Sequence, residues 1–166
     1  MVLLIVLLLS VGLRQWRSDS FHSPPPSAIA AGLYHVARVV DGDTLLLSDP
    51  HARIRLIGAD APETVKPNWP IEPWGPEASQ FTKRFVAGGE VRLEFDGSPR
   101  DKYGRILAYV WVGRRMLNEE LIRAGLARAE MQYSYSERIK ARFRLAESEA
   151  RHAHRGIWSR ARGGPP

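Results

Sequence analysis

The spacing of turn signals constrains this chain more than any other feature. Short, apolar, strand-like runs alternate with residues that turn a backbone. Residues 33–40 run into Asp41-Gly42, a dipeptide favoured in tight hairpins, and residues 44–47 return as the partner run. Ser48-Asp49-Pro50-His51 turns the chain again. Residues 53–58 form a third run, with Ile54 and Leu56 on one face and Arg55 on the other. Residues 90–95 and 105–112 are two more, separated by a polar loop. Between the third and fourth runs lies an irregular loop holding Pro62, Pro67, Pro70 and Pro73, followed by a helix that opens on Gly75-Pro76-Glu77.

That helix carries an apolar stripe of Ala78, Phe81 and Phe85 and ends near Gly88-Gly89. A short helix lined by Leu117, Leu121 and Ala124 is stopped by Gly125. A last helix, residues 137–154, places Ile139, Phe143, Ala146, Ala150 and Ala153 toward a core. Five short strands with three helices predict an α+β fold: a five-stranded OB-fold barrel with three packed helices, a class that commonly binds nucleic acid. No internal repeat is visible.

The chain has 166 residues, enough for one domain and a tail. Its net charge of +6 favours a polyanionic partner, nucleic acid or an anionic membrane surface. The basic residues are mostly arginines; the lysines are Lys66, Lys83, Lys102 and Lys140. Arginine's planar fork suits phosphate. The absence of cysteine removes disulfides, thiolate metal sites and thiol nucleophiles.

Residues 2–13 form an almost pure apolar run. As a helix they would span about 18 Å, short of the roughly 30 Å of a hydrocarbon core. The length fits the apolar stretch of an export signal, although Arg14 and Arg17 follow the run and no basic residue precedes it. Residues 1–17 are therefore expected to be a signal or membrane-anchor segment and the protein to be secreted or extracytoplasmic. The alternative is a membrane tether through residues 2–13. Residues 18–31, with Pro24-Pro25-Pro26, are expected to be a linker, residues 32–160 the folded domain and residues 161–166 a flexible tail. Nothing in the sequence argues for an oligomer, so a monomer is expected.

The candidate chemistry lies at turns and strand ends. Asp43 follows Asp41-Gly42, and Asp60-Ala61-Pro62-Glu63 follows the third strand. Carboxylates at Asp43 and Asp60 can hold a hard cation, with Ala61 offering only its backbone carbonyl. Glu63, on a loop stiffened by Pro62, can take a proton from water. Arg55 and Arg105 can clamp a phosphate. Each fragment has a plainer explanation by itself: a hairpin turn for Asp41-Gly42, a polar loop start for Asp60, a structural ion pair for Arg55. Trp69 and Trp74 either stack on a base or pin the proline-rich loop. The arginine pairs of the last helix, Arg138 with Arg142 and Arg151 with Arg155, read as a solvated face.

Taken in order, Val40-Asp41-Gly42-Asp43-Thr44, Arg55-Leu56, Asp60-Ala61-Pro62-Glu63-Thr64, Gly75-Pro76-Glu77-Ala78-Ser79, Asp101-Lys102-Tyr103-Gly104-Arg105, Leu107-Ala108-Tyr109, Asn118-Glu119, Gly125-Leu126-Ala127 and Gly156-Ile157-Trp158 resemble the thermonuclease, or staphylococcal-nuclease-like, family. The resemblance covers about residues 33–159. It implies a calcium-dependent nuclease of broad specificity, acting on DNA, RNA or both and leaving 3′-phosphate ends. Asp43, Asp60 and the Ala61 carbonyl match the calcium ligands, Glu63 the general base, and Arg55 and Arg105 the phosphate-clamping arginines. Lys102 and Tyr103 match contacts to a nucleotide phosphate, and Tyr133 matches one of two tyrosines lining the nucleotide pocket. The other tyrosine position is Met131 here, a departure that bears on base stacking. The family's Thr at position 61 is replaced by Ala, which keeps the carbonyl and loses the hydroxyl. A non-catalytic nucleic-acid-binding module is the competing class. The presence of all five charged site positions argues against it.

Overall fold

The computed structural model describes residues 29–64, 70–96, 100–101 and 103–159. The expected N-terminal segment, most of the linker, the tail, Trp69 and Lys102 lie outside them. The chain enters the domain early: Ile29 packs against the core and the Tyr34 hydroxyl donates to the Ala30 carbonyl at 2.9 Å.

Eight strands, three α-helices and one 3-10 turn follow in order among the described residues. They are β1 (Gly32–Asp41), β2 (Thr44–Leu47), β3 (Arg53–Leu56), β4 (Ala59–Asp60), α1 (Gly75–Phe85), β5 (Glu90–Glu94), β6 (Ile106–Val112), β7 (Arg115–Met116), α2 (Leu117–Arg123), β8 (Arg128–Ala129), α3 (Glu137–His152) and the 3-10 turn Gly156–Trp158. The sheet order is β3-β2-β1-β5-β6-β7, and β3 also pairs with β6 in parallel, Ile54 opposite Ile106. That pairing closes β1, β2, β3, β5 and β6 into the expected five-stranded barrel, which leaves these strands no open edge at the closure. The two-residue pair β4–β8 was not anticipated. It sets Ala59 opposite Ala129 and Asp60 opposite Arg128.

The barrel fills by strict alternation. Leu45, Leu47, Ile54, Leu56, Val91, Leu93, Ala108 and Val110 point inward and are all but inaccessible. Helices α2 and α3 close one end with Leu117, Leu121 and Phe143. The Phe143 ring meets those of Tyr109 and Tyr135 at 6.5 and 6.0 Å. Its truncation to Ala would cost about 3–5 kcal/mol. Asn118 is the polar bolt of this region. It accepts from Val110 N–H and donates to the carbonyls of Ile57 and Ala108, so a buried amide is fully used.

Three local readings change. The first hairpin turns about Gly42-Asp43, with Asp41 paired to Thr44, so Asp43 lies in the turn rather than after it. A Cβ on Gly42 would sit 2.7 Å from that of Ala78 and 2.8 Å from that of Ala61, so close approach is what requires glycine there. Ala153 is exposed because α3 ends at His152. The motifs around Gly125 and Gly156 are one contact: Ile157 N–H bonds the Gly125 carbonyl at 2.8 Å, and a Cβ on either glycine would strike the other segment. Among the described residues, no helix is long and apolar enough to cross a membrane.

Candidate active site

The pleat of β3 sends Ile54 and Leu56 into the barrel and Arg55 out of it, yet Arg55 is buried. The hairpin turn, β4 and β8 fold over it. Its Nη1 bonds the Ala59 carbonyl at 2.8 Å and pairs with Asp43, while Nη2 bonds Asp60 at 2.7 Å. Glu130, just past β8, stands 3.9 Å from Nη2. One guanidinium thus faces three carboxylates. The Nε hydrogen and one Nη2 hydrogen are left without a protein acceptor among the described residues.

Burial governs the charges here. It pushes the Asp43 carboxyl above its ordinary range against the pull of Arg55 and the hydrogen bond from Ala61 N–H. Glu130 is raised too, first by burial and then by the charge of Asp60. Arg55 is held more firmly protonated than usual; burial opposes this, and Asp43 and Asp60 outweigh it.

The loop after β4 is fastened at three points. Ala61 N–H donates to Asp43 at 2.8 Å. Asp41, buried at the end of β1, accepts from Gly42 N–H, from the Thr64 hydroxyl at 2.6 Å and from Ser79 of α1. Glu72 takes the Glu63 N–H on its carboxylate at 3.2 Å and donates its own N–H to the Glu63 carbonyl at 2.9 Å. Glu63 is thereby held by its backbone, with one carboxylate oxygen accepting Thr64 N–H at 3.0 Å. Asp41 does more than make a turn, and neither it nor Glu72 stood out in the sequence as an anchor. Their donors lie far along the chain, where no local pattern shows them.

Arg105 enters from the turn before β6. Asp101 accepts the backbone N–H groups of Tyr103 and Arg105 on one oxygen and Arg105 Nε on the other, at 2.6 Å. Burial works against this carboxylate, but the Arg105 side chain and the two backbone N–H groups outweigh it and hold its pKa below the usual range. The Arg105 guanidinium lies 5.5 Å over the exposed Tyr103 ring.

These pieces meet in one depression with two lobes. A cavity of about 490 Å3 is lined by Asp41, Asp43, Arg53, Arg55, Asp60, Ala61, Glu63, Tyr103 and Arg105. An adjoining one of about 540 Å3 shares Arg55, Asp60, Tyr103 and Arg105 and adds Arg100, Glu130 and Tyr133. Every site residue expected from the sequence is therefore brought to this place except Lys102, which lies outside the described residues. The arrangement sets carboxylate and carbonyl oxygens beside two arginines around one cavity, with Arg55 in direct contact with Asp43 and Asp60.

The family described as Staphylococcal nuclease homologue matches residues 53–160. The chain belongs to the staphylococcal nuclease family. It is 46% identical over 147 residues to the Thermonuclease of Staphylococcus hyicus, covering 86% of this chain and 85% of that one. It is 47% identical over 129 residues to the Thermonuclease of Staphylococcus intermedius, covering 76% of each. It is 41% identical over 127 residues to Endonuclease YncB of Bacillus subtilis, covering 75% of this chain and 60% of that protein.

Within this staphylococcal nuclease frame two side chains fill places that the sequence left open. Met131 is half-buried against the core, its sulfur 3.9 Å from the Tyr135 hydroxyl, whereas Tyr133 is 54% exposed at the cavity. Trp74 is half-buried and packed on the core, so it pins the proline-rich loop. Glu130 was missed because a two-residue strand, itself invisible in the sequence, carries it to Arg55.

Proposed function

We propose that this protein is a calcium-dependent phosphodiesterase that hydrolyses DNA, RNA or both, leaving 3′-phosphate ends. The observation that carries the reading is that Asp43, Asp60, Ala61, Glu63, Arg55 and Arg105 all line one cavity, with Arg55 paired directly to Asp43 and Asp60. The lining fits a hard cation: its donors are carboxylate and carbonyl oxygens, with no sulfur or imidazole. Among the described residues no three acidic or histidine side chains converge as a ready-made cage. Asp43, Asp60 and the Ala61 carbonyl would hold calcium in part, with water and substrate oxygens completing a flexible shell.

When bound, the cation supplies positive charge beside the scissile phosphate. The residues do the rest. Glu63 accepts a proton from the water that attacks phosphorus, its backbone fixed by Glu72 and its carboxylate oriented by Thr64 N–H. The bond from phosphorus to the 5′ oxygen breaks as the new one forms, in line. Arg55 and Arg105 donate to the equatorial oxygens, where negative charge grows. Tyr103 and Tyr133 contact the nucleotide from the adjoining lobe, with Lys102 at the phosphate. The apolar run 2–13 makes export, or a membrane tether, the setting we attach to this activity.

The test is cleavage of single-stranded DNA by the full chain with calcium, with excess chelator, and as Glu63→Gln. Cleavage should need calcium and fall by about 10²–10⁴-fold in the variant. Binding without cleavage under calcium would move the protein to the non-catalytic class.

A further inference from the structure

Eight arginines among the described residues are neutralised by a carboxylate. Arg55, Arg92, Arg105, Arg115, Arg123, Arg142, Arg144 and Arg151 all sit in ion pairs. Two on the barrel do not. Arg38 of β1 and Arg53 of β3 are exposed and have no carboxylate partner among the described residues. Both are register partners of the same residue, Leu46 of β2. Residues directly opposite one another on a ladder project to the same face, so Arg38, Leu46 and Arg53 form one row across three strands. The row faces away from the barrel interior, where its neighbours Leu45 and Ile54 pair with each other: Arg38 and Arg53 at its ends are exposed, and Leu46 between them is buried.

The row leads somewhere. Arg53 lines the same cavity as Asp43, Glu63 and Arg105. Ile54 pairs with Ile106, so the residue before each, Arg53 and Arg105, stands at the same level where β3 and β6 meet. From Arg105 the positive charge therefore passes to Arg53 and then, two strands or about 10 Å further on, to Arg38. The adjoining lobe shares Arg55, Asp60, Tyr103 and Arg105 with the cavity that Arg53 lines, and adds Tyr133.

We propose that Arg53 and Arg38 form a phosphate track on the outer face of the barrel that holds the substrate strand beyond the scissile phosphate, on the side away from Tyr133. This rests on the nuclease reading and extends it: the ligand is the phosphodiester backbone of a polynucleotide, and a substrate with a single phosphate does not reach Arg38. Unpaired guanidiniums suit this role because they bind phosphate without first giving up a carboxylate. The contacts are sequence-independent and show as salt dependence.

The experiment compares Arg38→Gln/Arg53→Gln with the wild type and with Arg84→Gln/Arg138→Gln, which removes equal charge from exposed positions on α1 and α3. Binding of a labelled single-stranded DNA oligonucleotide is measured in chelator from 0.1 to 1 M salt. The track variant should lose about 1.4 from the slope of log K against log salt, about 0.7 per phosphate released, which amounts to about 25-fold in affinity at 0.1 M. The control should keep the wild-type slope. With calcium, kcat/KM on the oligonucleotide should fall by a similar factor through KM, and Arg38→Gln alone, which lies outside the cavity lining, should leave turnover of a p-nitrophenyl mononucleotide phosphodiester at the wild-type value. A track variant with the wild-type slope, or a control that loses as much, overturns the track. Cleavage by the wild type reads the nuclease assignment separately, because the slope is measured without cleavage.

Discussion

Arg55 and Arg105 face one cavity from opposite kinds of surroundings. Arg55 is buried, fixed by Asp43, Asp60 and the Ala59 carbonyl, and watched by Glu130. Arg105 is half-exposed and held by one carboxylate, Asp101, on a turn of its own. The carboxylates record the difference. Around Arg55 burial dominates, and Asp43 and Glu130 are raised. Beside Arg105 hydrogen bonds dominate, and Asp101 is lowered. The same residue type thus sits in two settings: Arg55 is a structural keystone buried among carboxylates, while Arg105 is anchored by Asp101 alone and is the more exposed of the two.

The contrast is broken most decisively by truncation. Arg55→Ala leaves Asp43 buried without its counter-charge, so its unfolding free energy in chelator should fall by about 3–5 kcal/mol, read by denaturant titration. A fall below about 1 kcal/mol, the scale of an exposed ion pair, would make Arg55 no more structural than Arg105. Arg105→Ala should instead cut kcat by about a hundredfold with calcium, while its stability stays within about 0.5 kcal/mol of wild type. Near-normal turnover of that variant would remove Arg105 from the chemistry.

Asp41→Ala tests whether the loop after β4 depends on the hairpin. It strands the donors of Gly42, Thr64 and Ser79, and should cost about 2 kcal/mol of stability and disturb Glu63. A stable variant with slow turnover would mean that Asp41 acts on positioning only.

The smallest effect is titration. Asp101 has its folded pKa below the unfolded value of about 3.9, so it adds stability that is present above that value and lost as pH falls through the folded pKa. Glu130 has its folded pKa raised, so its ionisation disfavours the fold, and the corresponding advantage is present below the unfolded value and lost as pH rises through the folded one. Carboxyl carbon shifts followed by NMR should give midpoints on opposite sides of the ordinary carboxylate range. Two midpoints on the same side would erase the distinction between the two regions.

The barrel was legible because period-two alternation and turn residues are local signals: Ile54 and Leu56 against Arg55, and the hairpin around Gly42. Helix positions Ile139, Phe143, Ala146 and Ala150 were legible by the same logic, and Ala153 failed only because the helix ends two residues early, at His152. Strands β4 and β8 were not legible, since two residues carry no period. With them went Glu130. Asp41 was visible as a turn former but not as the anchor of Thr64 and Ser79, because those partners arrive from another loop and another helix.

By itself the sequence determined the alternating faces, the turns and the chemical types offered at each, since these depend on neighbours a few residues apart. Only the tertiary structure decided which charges are buried together. Closure of β3 on β6 brings Arg53, Arg55 and Arg105 to one wall, and β4 against β8 brings Glu130 to Arg55. The environment of a charge depends on everything folded around it, and that is set when distant segments meet.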